Sequence, residues 1–224
     1  YGFYKKANLQ CKNIRNINMG MQFDINVNLP NKKIKIKKIN IKLLGIHNIL
    51  NVVATVAIGL LLNISIKKIK KSLMSFSGVQ RRLTIVYKHK GTIIYDDYAH
   101  HPTEIKAVLQ ACRNNFKNKK IIAIFQPHRF SRMKILYKQF IKSFYYANQV
   151  LVCPVYSAGE KNKKFSLQKF CKDIISESKT EVVEINHKEQ IQQFLKKNLF
   201  NQEVVIAMGA GSISNWIRDI VKKL

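Results

Sequence analysis

Two carboxylates, a phenol and two imidazoles crowd into one stretch, Asp96-Asp97-Tyr98-Ala99-His100-His101-Pro102-Thr103-Glu104. Groups of these types handle protons and charge near neutral pH. An apolar run, Thr92-Ile93-Ile94-Tyr95, leads in, and an amphipathic run, Ile105 to Cys112, leads out. That reads as strand, polar turn and helix. Ligands and catalytic groups in α/β sheets collect at the carboxyl ends of strands, so the turn is a candidate site. The bland alternative is an acidic helix N-cap followed by two solvated histidines.

A second turn has the same grammar. Lys120-Ile121-Ile122-Ala123-Ile124-Phe125 is a buried-type strand running into Gln126-Pro127-His128-Arg129-Phe130-Ser131-Arg132. A helical pattern then extends from Met133 to Tyr146. Pro127 stops the strand. Arg129 and Arg132 share a face if the helix starts here. Guanidinium forks suit phosphate and carboxylate groups. Arginines sit poorly at the positive start of a helix without an anion, so the pair points to anion binding. The alternative is two solvated arginines.

A third group lies upstream, in Leu44-Gly45-Ile46-His47-Asn48-Ile49-Leu50-Asn51. On a helix, His47 and Asn51 are one turn apart, and Asn48 and Asn51 share a face. Such a set could read a purine edge or position phosphates. It could equally be core polar groups or caps. The apolar run Val52 to Leu62 is shorter than the roughly 20 residues a bilayer span requires, so a buried core helix is expected.

The elements that must position these groups follow from periodicity. Residues 23–29 and 33–43 alternate as an antiparallel pair, with a turn at Pro30-Asn31. A helix over 47–63 and a short basic one over 66–73 come next, and Ser75-Phe76-Ser77-Gly78 reads as a hinge. Beyond it, strands are expected at 83–88, 92–95, 120–125, 149–153, 181–185 and 203–207. Helices are expected at 103–115, 132–147, 166–177, 188–197 and 212–223. This alternation predicts an α/β fold with a mostly parallel sheet covered on both faces. Met208-Gly209-Ala210-Gly211-Ser212 reads as a structural glycine turn between a strand and a helix.

Composition narrows the class. With 224 residues and 46% apolar content, the chain can bury one good core and a smaller one. Cys11, Cys112, Cys153 and Cys171 are widely spaced, which suits free thiols better than a metal site or a disulfide framework. No signal peptide is read at the start, and a cytoplasmic location is expected. The net charge of +28 raises the question of nucleic acid. The lysines are scattered through Lys32-Lys33, Lys67 to Lys71, Lys117 to Lys120, Lys161 to Lys164 and Lys222-Lys223, without an aromatic-interleaved stripe. Lysine, isoleucine and asparagine are abundant together, as A/T-rich coding would give. Nonspecific polyanion binding is expected, and a specific nucleic-acid partner is not.

The order of the motifs resembles the Mur ligases of peptidoglycan synthesis. The resemblance rests on Tyr1-Gly2-Phe3, Gly20 to Asp24, Gly45-Ile46-His47-Asn48 with Asn51, and Gly78-Val79-Gln80-Arg81-Arg82. It continues through Asp96 to Glu104, Phe125 to Arg132, Tyr156-Ser157-Ala158-Gly159-Glu160 and Met208-Gly209-Ala210-Gly211. The intact Phe125 to Arg132 segment is similar to the alanine-adding branch rather than to the branch that recycles tripeptide.

The resemblance implies an ATP-dependent amide ligase. It would join L-alanine to UDP-N-acetylmuramate through an acyl phosphate, with ATP and Mg²⁺ as cofactors. Residues 1–76 would be the C-terminal part of the central ATP-binding domain, and 77–224 the Rossmann-like C-terminal domain. By the same resemblance His47, Asn48, Asn51, Arg82 and Asp97 would serve the ATP site. Tyr98, His100, Arg129 and Arg132 would line the muramoyl and amino-acid end. Asp97, His100, Arg129 and Arg132 would be the catalytic set, and His101 and His128 receive no role. The family's phosphate-cradling glycine loop and metal ligands have no counterpart here, and the chain starts at Tyr1. The expectation is a piece that needs N-terminal domains, in cis or in trans, and does not turn over alone. The alternatives are a degenerate nucleotide- or polyanion-binding module without ligase activity, or the related tripeptide-recycling ligase.

Overall fold

In a computed structural model, residues 1–17, 20–30, 32–161, 165–199 and 202–224 are described. Asn31 of the expected turn, and Lys163 and Lys164 of one lysine run, lie outside them. The chain divides into two compact units, Tyr1–Gly78 and Val79–Leu224.

The first unit begins with three antiparallel strands, β1 (Leu9–Ile17), β2 (Gly20–Leu29) and β3 (Lys32–Ile41), in the order β1-β2-β3. Two helices follow, α1 (Ile46–Leu61) and α2 (Ile66–Ser75). Phe23, Ile25 and Ile39 of the sheet pack with Ile49, Val53 and Val56 of α1 and with Ile69 and Leu73 of α2. β1 was not expected. Its apolar alternation is confined to Leu9 and Cys11, everything from Lys12 on is exposed, and the register shifts between Lys12 and Arg15.

The second unit adds β4 (Thr84–His89), β5 (Thr92–Asp97), α3 (Pro102–Asn115), β6 (Ile121–Phe125), α4 (Phe130–Ile135), α5 (Tyr137–Phe140), β7 (Gln149–Val152), α6 (Leu167–Ser178), β8 (Glu181–Glu184), α7 (Lys188–Asn198), β9 (Val204–Met208) and α8 (Ile213–Val221). The sheet order is β4-β5-β9-β6-β7-β8, with only β4 antiparallel. Strands β5, β6 and β9 are buried throughout, because helices cover both faces. Period-2 alternation sorts their side chains. Ile93, Tyr95, Ala123, Phe125 and Ile206 face a core shared with Leu109, Phe144 and Phe170. Ile94, Ile122, Ile124 and Val205 face one shared with Ile191, Leu195 and Ile217. The four cysteines are free and buried, and burial pushes the thiol pKa of each upward.

The helix expected over 132–147 is not continuous. It divides into α4 and α5, with Leu136 between them, and the backbone then tightens into turns as far as Ala147. Beyond α5 a hydroxyl intrudes. Ser178 Oγ accepts the Phe144 N–H at 3.2 Å and donates to the Ile141 carbonyl at 2.6 Å. A helix would have paired the Phe144 N–H with the carbonyl of Phe140.

The insertion that shapes the site is β9. The last strand enters between β5 and β6, so Asp97, Met208 and Phe125 stand level at three adjacent carboxyl ends. The crevice beyond such a reversal of strand order is where α/β sheets bind ligands.

Candidate functional site

The turn after β5 is built around Asp97. It is 2% exposed, and its two carboxylate oxygens accept the Leu83 and Ala99 N–H groups, each at 2.8 Å. Burial pushes its pKa up, while the two amides and the Arg82 charge pull it back. Asp96, next along the strand, points to the other face. It is fully buried and accepts Ser214 Oγ at 2.7 Å and Arg218 Nη2 at 2.8 Å, so it fastens α8 and takes no part in the crevice.

The N-cap of α3 is His101, not an acid. Its Nδ1 accepts the Thr103 N–H at 3.4 Å, and Glu104 reaches back to the His101 N–H at 3.2 Å. This capping box fixes the start of the helix and leaves His100 to face the crevice. His100 Nδ1 sits 2.8 Å from the Tyr98 carbonyl, and Glu104 accepts the His100 N–H at 3.1 Å.

After β6, Gln126 is buried. Its Oε1 accepts the Ile213 N–H at 3.0 Å, and its Nε2 donates to Ser212 Oγ at 3.0 Å. Pro127, at the strand end, positions the next turn by accepting the Tyr156 N–H at 2.8 Å. Arg129 has φ +67° and donates its N–H to the Tyr156 carbonyl at 2.9 Å. It is therefore the N-cap of α4, whereas Arg132 lies within that helix. The anion at the start of α4 is the chain's own Glu160. This removes the reason for expecting an external anion on that helix end. What remains is the arginine pair at the crevice, with Arg129 exposed and Arg132 Nη1 3.2 Å from His128 Nδ1.

Four rings run across these strand ends. Tyr98 meets His100 edge-on at 5.0 Å, His100 lies 5.9 Å from His128, and His128 stacks on Tyr156 at 5.5 Å and 12°. Burial lowers the His128 pKa, and the positive charge of Arg132, then His100 and Arg129, lowers it further. These effects bias the imidazole toward its neutral form, whose acceptor nitrogen, Nδ1, faces the Arg132 guanidinium.

The structure thus gathers Asp97, Tyr98, His100, Arg129 and Arg132 at one sheet end. Arg82 is exposed, and its charge acts on Asp97. His47, Asn48 and Asn51 belong to the first unit. There Asn48 Nδ2 donates to the Leu44 carbonyl at 2.8 Å, and Asn51 Nδ2 reaches Asn48 Oδ1 at 3.4 Å, as a pair on α1. Four participants stood in the quoted motifs without a role of their own: Arg81, Gln126, Tyr156 and Glu160. The signal was present for Tyr156 and Glu160, which follow the carboxyl end of β7 just as the two named turns follow β5 and β6.

Comparison with known proteins gives a consistent picture. Residues 81–211 match the family described as "Mur ligase, glutamate ligase domain". The chain is 46% identical over 222 residues to the UDP-N-acetylmuramate--L-alanine ligase of Pelagibacter ubique, covering 98% of this chain and 48% of that protein. The protein of the same name from Rickettsia prowazekii is 37% identical, covering 90% and 42%. Among solved structures, the UDP-N-acetylmuramate-alanine ligase of Thermotoga maritima superposes with a TM-score of 0.81 at 26% identity, covering 98% of this chain and 46% of that one. A murein peptide ligase from Psychrobacter arcticus shares the fold, with a TM-score of 0.67 at 19% identity, covering 97% and 44%. The chain spans about half the length of the curated relatives it matches.

Proposed function

Because the chain belongs to the Mur ligase family, we propose that it forms the C-terminal part of an ATP-dependent ligase that adds L-alanine to UDP-N-acetylmuramate. The observation that carries this reading is the 46% identity to an alanine-adding ligase over 98% of the chain. The resemblance expected from the motifs is borne out at the level of the family.

The reaction couples two transfers. A carboxylate oxygen of the muramoyl group takes the terminal phosphoryl group of ATP, giving an acyl phosphate and ADP. The amine of L-alanine then attacks the acyl carbon, and the amide forms as inorganic phosphate leaves and the amine loses a proton. Such chemistry consists mostly of positioning and charge neutralisation. Arg129 and Arg132 would neutralise the carboxylate and the transferring phosphoryl group. Tyr98 and His100 would line the acceptor end. Asp97, through the second acceptor site on each oxygen, and exposed Arg82 would hold the nucleotide side. His47, Asn48 and Asn51, in the first unit, are read as nucleotide-binding residues of the central domain. Mg²⁺ would offset the phosphate charge. Among the described residues no group of three His, Cys, Asp or Glu is placed to hold a metal. Among the described residues no helix is long and apolar enough to cross a membrane.

The test is turnover of the complete gene product with UDP-N-acetylmuramate, ATP and a panel of small amino acids. The reading predicts ADP release dependent on L-alanine and a product heavier by one alanyl residue. Arg129→Ala and His100→Ala should lower turnover by about a hundredfold or more while the second unit stays folded. Wild-type turnover in Arg129→Ala would contradict the site assignment.

A further inference from the structure

One cation reaches two of the three adjacent strand ends. Arg81 lies just before β4, with φ +59°. Its Nη2 donates to the Gly209 carbonyl, past β9, at 2.7 Å. Its guanidinium carbon lies 4.5 Å from the centroid of the Tyr98 ring, past β5. Its own carbonyl accepts the Tyr98 N–H at 2.7 Å. Two residues on, Leu83 also has a positive φ, +48°, and its N–H holds Asp97. Two non-glycine residues in this region within one short segment persist only where the surroundings over-determine them, and such strain collects at functional sites. Here the determinants are visible: these hydrogen bonds of Arg81 and Leu83 go to the turn carrying Tyr98 and His100, or to the neighbouring turn at Gly209.

We infer that Arg81 is a positioning residue, which fixes the Tyr98 ring and, through Tyr98, the His100 imidazole. The coupling is direct, because the Tyr98 carbonyl holds His100 Nδ1 at 2.8 Å and the two rings meet edge-on. A delocalised, flat guanidinium stacks on a ring and bonds a carbonyl at the same time, whereas an ammonium is a point charge without a stacking face. Arg81→Lys therefore keeps the charge and loses the device. Its consequence for catalysis rests on the ligase reading above; its consequence for the His100 ring does not.

The experiment compares the complete gene product as wild type, Arg81→Lys and Arg81→Met, by imidazole NMR signals, thermal melting and steady-state kinetics. In Arg81→Lys the expected result is a melting temperature close to wild type and displaced His100 ring signals. His187, on the exposed start of α7, should be unmoved. Turnover should fall by about tenfold or more, with the amino-acid KM raised and the ATP KM unchanged. Unmoved His100 signals in both variants would overturn the inference, as would activity lost only in proportion to the unfolded fraction. A wild-type protein that forms no amide would defeat the ligase reading instead, and the His100 signals would still decide the role of Arg81.

Discussion

Ser131 gives both of its donors to Glu160: the N–H at 2.9 Å and the hydroxyl at 2.6 Å. With the Arg129 N–H on the Tyr156 carbonyl at 2.9 Å, this clamps the segment carrying Arg129 and Arg132 to the loop after β7 at two points. The arginine pair is thus set by a neighbouring strand end and not by its own short helix.

The clamp has a pH signature. The hydrogen bonds from Ser131 hold the Glu160 carboxyl below its ordinary 4.5. A depressed carboxylate stabilises the fold fully above its unfolded value and loses that contribution as pH falls through the lower folded value. The Ser131 amide shift should therefore titrate below pH 4.5, and Glu160→Gln should abolish the step. A flat wild-type profile would mean that the clamp does not form.

His128 carries the opposite bias. Burial and the surrounding cations favour its neutral form, so it should titrate below the ordinary 6.5. Between that folded value and 6.5 the unfolded chain binds more protons, and stability falls as pH drops through this window. His128→Gln should remove that part of the slope, as read from urea unfolding at a series of pH values. A His128 ring signal titrating above 6.5 would contradict the electrostatic picture.

Asp96 supplies a stability test away from the chemistry. It is fully buried and depends on Arg218, whose side chain is 40% exposed, and on Ser214. Removing one partner of a buried pair typically costs 3–5 kcal/mol, and partial exposure reduces this, so Arg218→Leu should cost roughly 2–3 kcal/mol. Asp96→Asn/Arg218→Leu should recover part of the loss in a double-mutant cycle. Wild-type stability in Arg218→Leu would show that the pair contributes nothing.

Much of this was legible in the sequence, for identifiable reasons. Continuous apolar runs such as Ile121 to Phe125, each ending in a polar turn, announce strands buried on both faces, and those turns are the crevice. The turn at Asp96 to Glu104 was visible as a site, yet its two aspartates separate by strand alternation into one that locks the turn and one that fastens α8. Only the three-dimensional pairing shows which is which. The end of the helix after Phe140 was hidden because Met133, Phe140 and Phe144 keep helical spacing while Ser178, distant in sequence, takes over the backbone partners. Arg81 was hidden because its value lies in contacts to Tyr98 and Gly209, neither of them near it in sequence.

The central claim is amide formation through an acyl phosphate, and an isotope experiment tests it most directly. The complete gene product would be given UDP-N-acetylmuramate labelled with ¹⁸O in its carboxylate, together with ATP and L-alanine. Transfer through an acyl phosphate predicts one labelled oxygen in each inorganic phosphate released, in step with the amide formed. Amide formation with unlabelled phosphate, or ATP hydrolysis indifferent to L-alanine with no amide formed, would contradict the account.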